Sequence, residues 1–507
     1  MDDRVILAVD EGTTGTRAAL VSPDGAVSEP AYRRLGVDSP RPGVVEQDAD
    51  EIWASTLEVC RAAVAAGGGA APAAVAVAVQ RATGVLWDAR TGRALVPAMV
   101  WQDTRHAGEL AALAGAWDAR LTAATGRPTG VRSPYLWAAR HLERTPEVRA
   151  AHRAGALRFG TVDTWLLWNL TGGAVYATTP TNVCSSGAYT LADHSYLREW
   201  IDTLGFPADL LPELREDGDE LGTVLPGLLG DGTGEVPVLA VLGDQHAAMI
   251  GLGCLEAGRA MCVHGTGSFV DVAAGEEVPA GTGRVDGALT LVGWRTRGRS
   301  VYTVESFSAT SGSALDWACS TFAGFSSARE VSELAETVPD TGGAAFRPTL
   351  AGLRTPVMAP GLGAALTGLT ISTTPAHIAR ALLEGIAHSV ADSAAAVAET
   401  AGAPITAMRV GGGLSASRPL LQMQADLVGA PMERARDAGT ASLRGAAYLA
   451  GSRGLFWDSL TQAAAARGEG ELFEPGIGAD ERAGRRAAWT RRIRAELDLL
   501  DRHQIGR

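Results

Sequence analysis

Apolar residues along the chain fall into short continuous runs that end on an acid or a glycine-rich turn, separated by longer stretches of helical period. Val5-Ile6-Leu7-Ala8-Val9-Asp10 is one such run and reads as a buried strand. Glu11-Gly12-Thr13-Thr14-Gly15-Thr16-Arg17 is a turn after it, and Ala18-Ala19-Leu20-Val21 reads as the returning strand, closed by Ser22-Pro23-Asp24-Gly25. A related unit recurs mid-chain, with apolar Ala260–Val263, the turn His264-Gly265-Thr266-Gly267-Ser268, and apolar Phe269-Val270-Asp271-Val272. One strand–turn–strand unit near the start of each half predicts two α/β domains of related architecture.

A third unit lies late. Met408-Arg409-Val410 leads into Gly411-Gly412-Gly413, and Leu420, Met423 and Leu427 then recur at helical spacing, predicting a helix over 419–428. Three glycines after a strand let another group come close to the backbone, and a flat ring suits that gap. Residues 376–400 predict a long alanine-rich helix around Leu382, Leu383, Ile386 and Val390, and 225–234 read as a surface loop. The chain is expected to change domain just before Val241-Leu242-Gly243-Asp244, giving domains 1–242 and 243–507. With no low-complexity linker between them, the domains are expected to pack together around a cleft, where small-molecule sites are commonest.

Composition narrows the chemistry. At 507 residues, 46% hydrophobic and 20% charged, the chain reads as an ordinary globular protein of two large domains. A formal charge of -13 argues against nucleic-acid and membrane-surface partners, which want a basic face. The longest apolar run, Ala70 to Val79, is broken by Pro72 and is short of the about 20 residues that cross a bilayer. Met1-Asp2-Asp3-Arg4 lacks the pattern of a signal peptide, so a cytoplasmic protein is expected. Cys60, Cys184, Cys254, Cys262 and Cys319 are scattered and read as buried free thiols. The chain has no lysine at all, which excludes a GxxxxGK[ST] phosphate loop and any Schiff-base lysine. Any bound phosphate must be held by backbone amides, hydroxyls, arginine and metal.

In series, the motifs resemble the FGGY family of carbohydrate kinases, and within it the glycerol kinase branch. The resemblance runs almost the whole chain. It rests on Val9–Arg17, Pro42–Asp48 with Glu51-Ile52-Trp53, Val100–Arg105, Phe159–Trp168, Gly243–Ala248, Gly265–Phe269, and a signature from Ala364 to Glu384. It implies two ribonuclease-H-like domains of the actin and hexokinase type, closing on a cleft. It implies ATP-dependent phosphorylation of a hydroxyl of glycerol or a related small polyol, with Mg²⁺.

Phosphoryl transfer needs positioning and charge neutralisation more than covalent chemistry. On the family pattern, Thr13, Thr14 and Arg17 hold phosphate from one side and Gly265, Thr266 and Gly267 from the other. Asp10 is the magnesium position, and Asp244 is the general base and an acceptor ligand. The acceptor pocket resembles that of the family at Gln80, Arg81, Trp101, Tyr135, Asp244, Gln245 and Phe269. Thr310, Gly312, Gly413 and Ser417 are the expected adenosine side. Homodimers or homotetramers are common in the family.

The chain departs from the glycerol kinase pattern. Gln80-Arg81-Ala82-Thr83 stands where that branch has Gln-Arg-Glu-Thr, so a carboxylate that accepts from substrate hydroxyls is missing. Either the acceptor is longer, such as a tetritol, pentitol or ketopentose, or another group replaces that glutamate. Met358, Ala359 and Gly363 replace an aromatic, an acid and an arginine. Glu235 stands at the arginine of the loop that binds fructose bisphosphate in the branch, and a carboxylate repels phosphate. Fructose 1,6-bisphosphate is therefore expected to leave the rate unchanged; inhibition in a steady-state assay would contradict this. A non-catalytic actin-like ATP-binding protein is the alternative from another class, but it needs no acceptor pocket.

Overall fold

The computed structural model describes residues 4–69, 71–322 and 324–505. Ala70, at the head of the longest apolar run, and Met1–Asp3 lie outside them.

The first sheet is built on β1 (Ile6–Gly12) and β2 (Gly15–Val21), an antiparallel pair joined by the Gly/Thr turn. β3 (Ala31–Arg34) extends it beyond β2. After helix α1 (Ala49–Ala66), capped by the Asp48 carboxylate on the Asp50 and Glu51 amides, β4 (Ala74–Val79) pairs parallel with β1. The short β5 (Thr223–Val224) and β6 (Val236–Gly243) complete the order β5-β6-β4-β1-β2-β3. β1 and β4 are apolar at nearly every position because both faces of the sheet are covered.

β6 runs straight into α2 (Asp244–Gly251), which puts Asp244 at a strand end and in the first turn of a helix. The second sheet repeats the plan. β7 (Arg259–His264) and β8 (Ser268–Gly275) form the hairpin, and β9 (Ala288–Thr296) and β10 (Arg299–Ser308) extend it. β11 (Ala407–Gly412) pairs parallel with β7, followed by β12 (Met432–Arg434) and β13 (Glu471–Phe473). The order is β9-β10-β8-β7-β11-β12-β13. In both sheets a hairpin strand takes a parallel neighbour on its free side, then a second parallel strand, then an antiparallel edge. The weak Gly/Thr repeat in the sequence is thus the trace of a structural repeat.

Helix α3 (Gly312–Thr321) follows β10, α4 (Pro375–Ala401) covers the second sheet, and α5 (Arg418–Val428) follows the glycine triplet. α6 (Ala441–Gly451) crosses between the halves. Leu443, Ala446, Ala447 and Tyr448 share one core cluster with Ile6, Ala8, Ala76 and Leu242 of the first sheet. α6 approaches α2 closely because of glycine: a Cβ on Gly445 would lie 1.7 Å from the Ala247 carbonyl oxygen. Gly445→Ala is expected to force the helices apart at a cost of about 1–3 kcal/mol. A thermal melt at or above the wild-type midpoint would contradict that packing.

Cys60, Cys184, Cys254 and Cys262 are buried, Cys319 is half-buried, and all five are free thiols. No helix among the described residues is long and apolar enough to cross a membrane.

Candidate active site

Two cavities meet at the N-terminus of α2. The larger, about 1050 Å³, is walled by Asp10, Gly12 and Arg17 of the first hairpin, by Gly411–Gly413, and by the segment from Arg434 to Ser442. The smaller, about 190 Å³, is lined by Thr13, Arg81, Trp101, Phe269 and Glu305, with Leu289 and Leu291 adding apolar surface. Asp244 and Gln245 belong to both walls.

In the larger cavity Arg17 donates to one Asp10 oxygen through Nε at 2.9 Å and Nη2 at 2.6 Å. Arg434 and Arg436 add cations that motif reading missed. In a chain without lysine, arginine is the side chain left to neutralise phosphate here. Gly413 faces open space, whereas Gly412 is a close-approach residue: its φ is +82°, and a Cβ would lie 2.1 Å from the His264 carbonyl oxygen. The triplet therefore divides its work between backbone contact at Gly412 and an open wall at Gly413.

The other expected nucleotide residues are dispersed. Thr13 faces the small cavity, where its hydroxyl receives Trp101 Nε1 at 2.8 Å. Thr14 is exposed, and its carbonyl accepts the Leu35 amide. Gly265 and Thr266 are exposed at the second turn, outside both cavity walls, and Gly267 is buried behind them. That turn is fixed from beneath. Its carbonyls accept the amides of Ser311, Gly312 and Ser313 at the start of α3, and a buried chain runs from Gln424 through His264 and Ser268 to Ser311. Burial pushes the His264 pKa down to about 4, so the ring is neutral in this chain of hydrogen bonds. Gly312 packs on Gly265, and Thr310 is buried with its hydroxyl on the Ala351 amide. Ser417 lines a separate pocket that shares Gly413 and Ala416 with the larger cavity, and its hydroxyl receives Ser332.

At the small cavity Arg81 is the hub. It binds Glu305 at 2.5 Å, approaches Asp244 at 3.6 Å and donates to Ser185 at 3.3 Å. Glu305 on β10 stands directly across from Asp271 on β8. Burial and the facing Glu305 push the Asp271 carboxyl well above the usual range. Phe269 and Phe307 are also cross-strand partners and stack with centroids 5.2 Å apart. Gln80 is buried behind Thr13, bonded to Glu11, Gln47 and Thr83, and orients Thr13 rather than lining the cavity. Tyr135 is not at the cavity: it is 2% exposed and packs on Phe159 and Phe206. An aromatic one residue into the helix Pro134–Arg144 satisfies the apolar period of that helix, and that role took precedence.

Ala82 is fully buried, sits at φ +61° and does not line the cavity. A carboxylate lines the small cavity at Glu305, where it is paired with Arg81. Gln245 Oε1 is buried with no hydrogen-bond partner, on a residue that lines both cavities. Burial, and then the nearby Asp10 charge, raise the Asp244 pKa to about 6 against the opposing pull of Arg81.

Asp10 suits a magnesium ion shared with phosphate. Mg²⁺ usually takes one or two carboxylates plus substrate oxygens and water. Both Arg17 bonds fall on Asp10 Oδ2 and leave Oδ1 out of the pair. Among the described residues no cluster of three or more His, Cys, Asp or Glu could hold an ion unaided.

Two repeated α/β halves place Asp244 between a large and a small cavity, and comparison with known proteins supplies the class. The family model of the FGGY carbohydrate kinases matches with its N-terminal domain over residues 5–251 and its C-terminal domain over 260–453. The chain belongs to the FGGY family of carbohydrate kinases and is an ATP-dependent carbohydrate or polyol kinase. It is 40% identical over 454 residues to glycerol kinase of Thermus brockianus, covering 88% of this chain and 90% of that one. It is 36% identical to glycerol kinase of Dechloromonas aromatica, covering 98% of each. Among solved structures, Plasmodium falciparum glycerol kinase with ADP superposes at TM-score 0.90 and 24% identity, over 97% of this chain and 98% of that one. Xylulose kinase from Rhodospirillum rubrum superposes at 0.84 and 23% identity, over 99% of each.

Proposed function

We propose that the chain transfers the γ-phosphoryl group of ATP to a primary hydroxyl of a small polyol, with glycerol the first acceptor to test because its curated relatives are glycerol kinases. The observation that carries this is the position of Asp244, in the wall of a nucleotide-sized cavity and of a polyol-sized one. The acceptor hydroxyl gives its proton to the Asp244 carboxylate as its oxygen forms the bond to phosphorus, and the bond from phosphorus to the ADP oxygen breaks. Gln245 Oε1 and Glu305 accept from the remaining hydroxyls, Arg81 donates to them, and Trp101 and Phe269 pack on the carbon chain. Magnesium held by Asp10 and the phosphates would neutralise charge on the transferring group. Gly413 and Ser417 border the adenosine end. Cytoplasmic placement and assembly into a homodimer or homotetramer belong to the same reading.

The test is ADP release measured with and without acceptor, across glycerol, erythritol, xylitol, ribulose and xylulose. Release that depends on one of them is expected; tight ATP binding with no acceptor-dependent release would contradict a neutral polyol or ketose as the acceptor. The pH profile adds a check on Asp244. A general base works only when ionised, so kcat/KM is expected to be level above about 6 and to fall with the ionised fraction below it. A profile flat to pH 5 would remove Asp244 from that role.

A further inference from the structure

The acceptor cavity holds more positive charge than a neutral polyol can use. Arg81, Arg127 and Arg132 all line it, against the carboxylates of Asp244 and Glu305. Arg81 accounts for both carboxylates, at 3.6 Å and 2.5 Å. Asp271 does not line the cavity and has no arginine within ion-pair distance among the described residues. Arg127 and Arg132 are left without a carboxylate within ion-pair distance among the described residues. Arg127 is nine-tenths buried, and its Nη1 donates to the Ser185 carbonyl. Arg132 Nε is buried with no partner, and its guanidinium lies 5.8 Å from the centroid of the Trp101 ring. Arg354 is not in the cavity wall; its guanidinium lies 5.4 Å from the Phe307 ring centroid. Burial and the like charges of Arg127 and Arg81 push the Arg132 pKa down, as expected of a cation lacking its counter-charge.

Burying a guanidinium costs free energy that hydroxyl dipoles only partly offset, whereas a carboxylate matches its fork with two charge-assisted hydrogen bonds. The walls also have a direction. Asp244 and Gln245 stand where the cavity opens toward the nucleotide, and Leu289, Leu291 and the paired Phe269 and Phe307 give apolar surface for a carbon chain. We infer that the acceptor is a polyhydroxy carboxylic acid, with its reacting hydroxyl at Asp244 and its carboxylate between Arg127 and Arg132. This rests on the kinase reading above and names its substrate class.

The experiment compares kcat/KM for matched pairs of equal chain length: glycerol with glycerate, erythritol with erythronate, xylitol with xylonate. At least one acid is expected to exceed its neutral partner by about 10- to 100-fold, the worth of hydrogen bonds to a charged group. Arg132→Gln and Arg127→Gln are each expected to lower that acid-to-neutral ratio by a similar factor. The ratio is internal to each variant, so a folding defect, which scales both substrates alike, does not move it. A neutral polyol used as well as or better than its acid overturns the inference and leaves the kinase reading standing. An unchanged ratio in both variants, or a polyol phosphate preferred over every acid, also overturns it. No acceptor-dependent ADP with any compound overturns both readings.

Discussion

Asp244→Asn is expected to lower kcat by about 10²–10⁴, because the amide cannot take the proton of the attacking hydroxyl. The loss should fall on kcat more than on ATP binding, since the remaining walls of the larger cavity are untouched. Folding should survive. Asp244 Oδ1 accepts the Gln245 amide at 2.8 Å, and the asparagine carbonyl can accept the same bond. The raised pKa of Asp244 adds to this expectation, because an amide in its place no longer pays to hold a charge there. A variant that turns over at close to the wild-type rate, with its acid limb still near pH 6, would assign the proton to another group.

Arg81→Met has the second large effect, and it reaches stability and chemistry together. Arg81 is the cation for Glu305 and Asp244, and its side chain is only 12% exposed. Removing one partner of a buried charged set typically costs about 3–5 kcal/mol, because the carboxylates stay behind unpaired. Arg81 also pulls the Asp244 pKa down, against burial and Asp10. Without it the base should hold its proton to higher pH, so the acid limb of kcat/KM should move above about 6. A simple packing defect would lower the melting temperature and leave the limb in place, which separates the two explanations.

The sequence reading matched the acceptor wall more fully than the nucleotide wall: Arg81, Trp101, Asp244, Gln245 and Phe269 line the small cavity, whereas Arg17 and Gly413 are the expected nucleotide residues that line the larger one. β1 and its turn were legible because a strand buried on both faces is continuous in apolar residues and has to end abruptly at the Gly/Thr loop. Asp244 was legible as part of the family motif Gly243–Ala248, at the end of the apolar run Val241-Leu242. Gln245, Trp101 and Phe269 came with the same family motifs. Glu305, Arg127 and Arg132 had no such mark. Glu305 sits within the strand Arg299–Ser308, and only its register opposite Asp271 turns it toward Arg81. Arg127 and Arg132 lie in the loop before the helix Pro134–Arg144, where polar residues are ordinary. Tyr135 erred the other way, since an aromatic that belongs to a helix core and one that belongs to a site look alike in sequence. Thr13 was assigned to phosphate by its turn, yet its hydrogen bonds to Trp101 and Gln80 hold it to the acceptor side. The Ala82 departure was visible, but that Glu305 lines the small cavity was not, because the two are 223 positions apart.

The most direct test of the central claim is ³¹P spectroscopy of the enzyme turning over ATP with its best acceptor. A phosphate monoester resonance of the acceptor, growing in step with ADP, is the expected result. ADP formed with inorganic phosphate alone, or no ADP beyond the acceptor-free rate, would contradict phosphoryl transfer across Asp244.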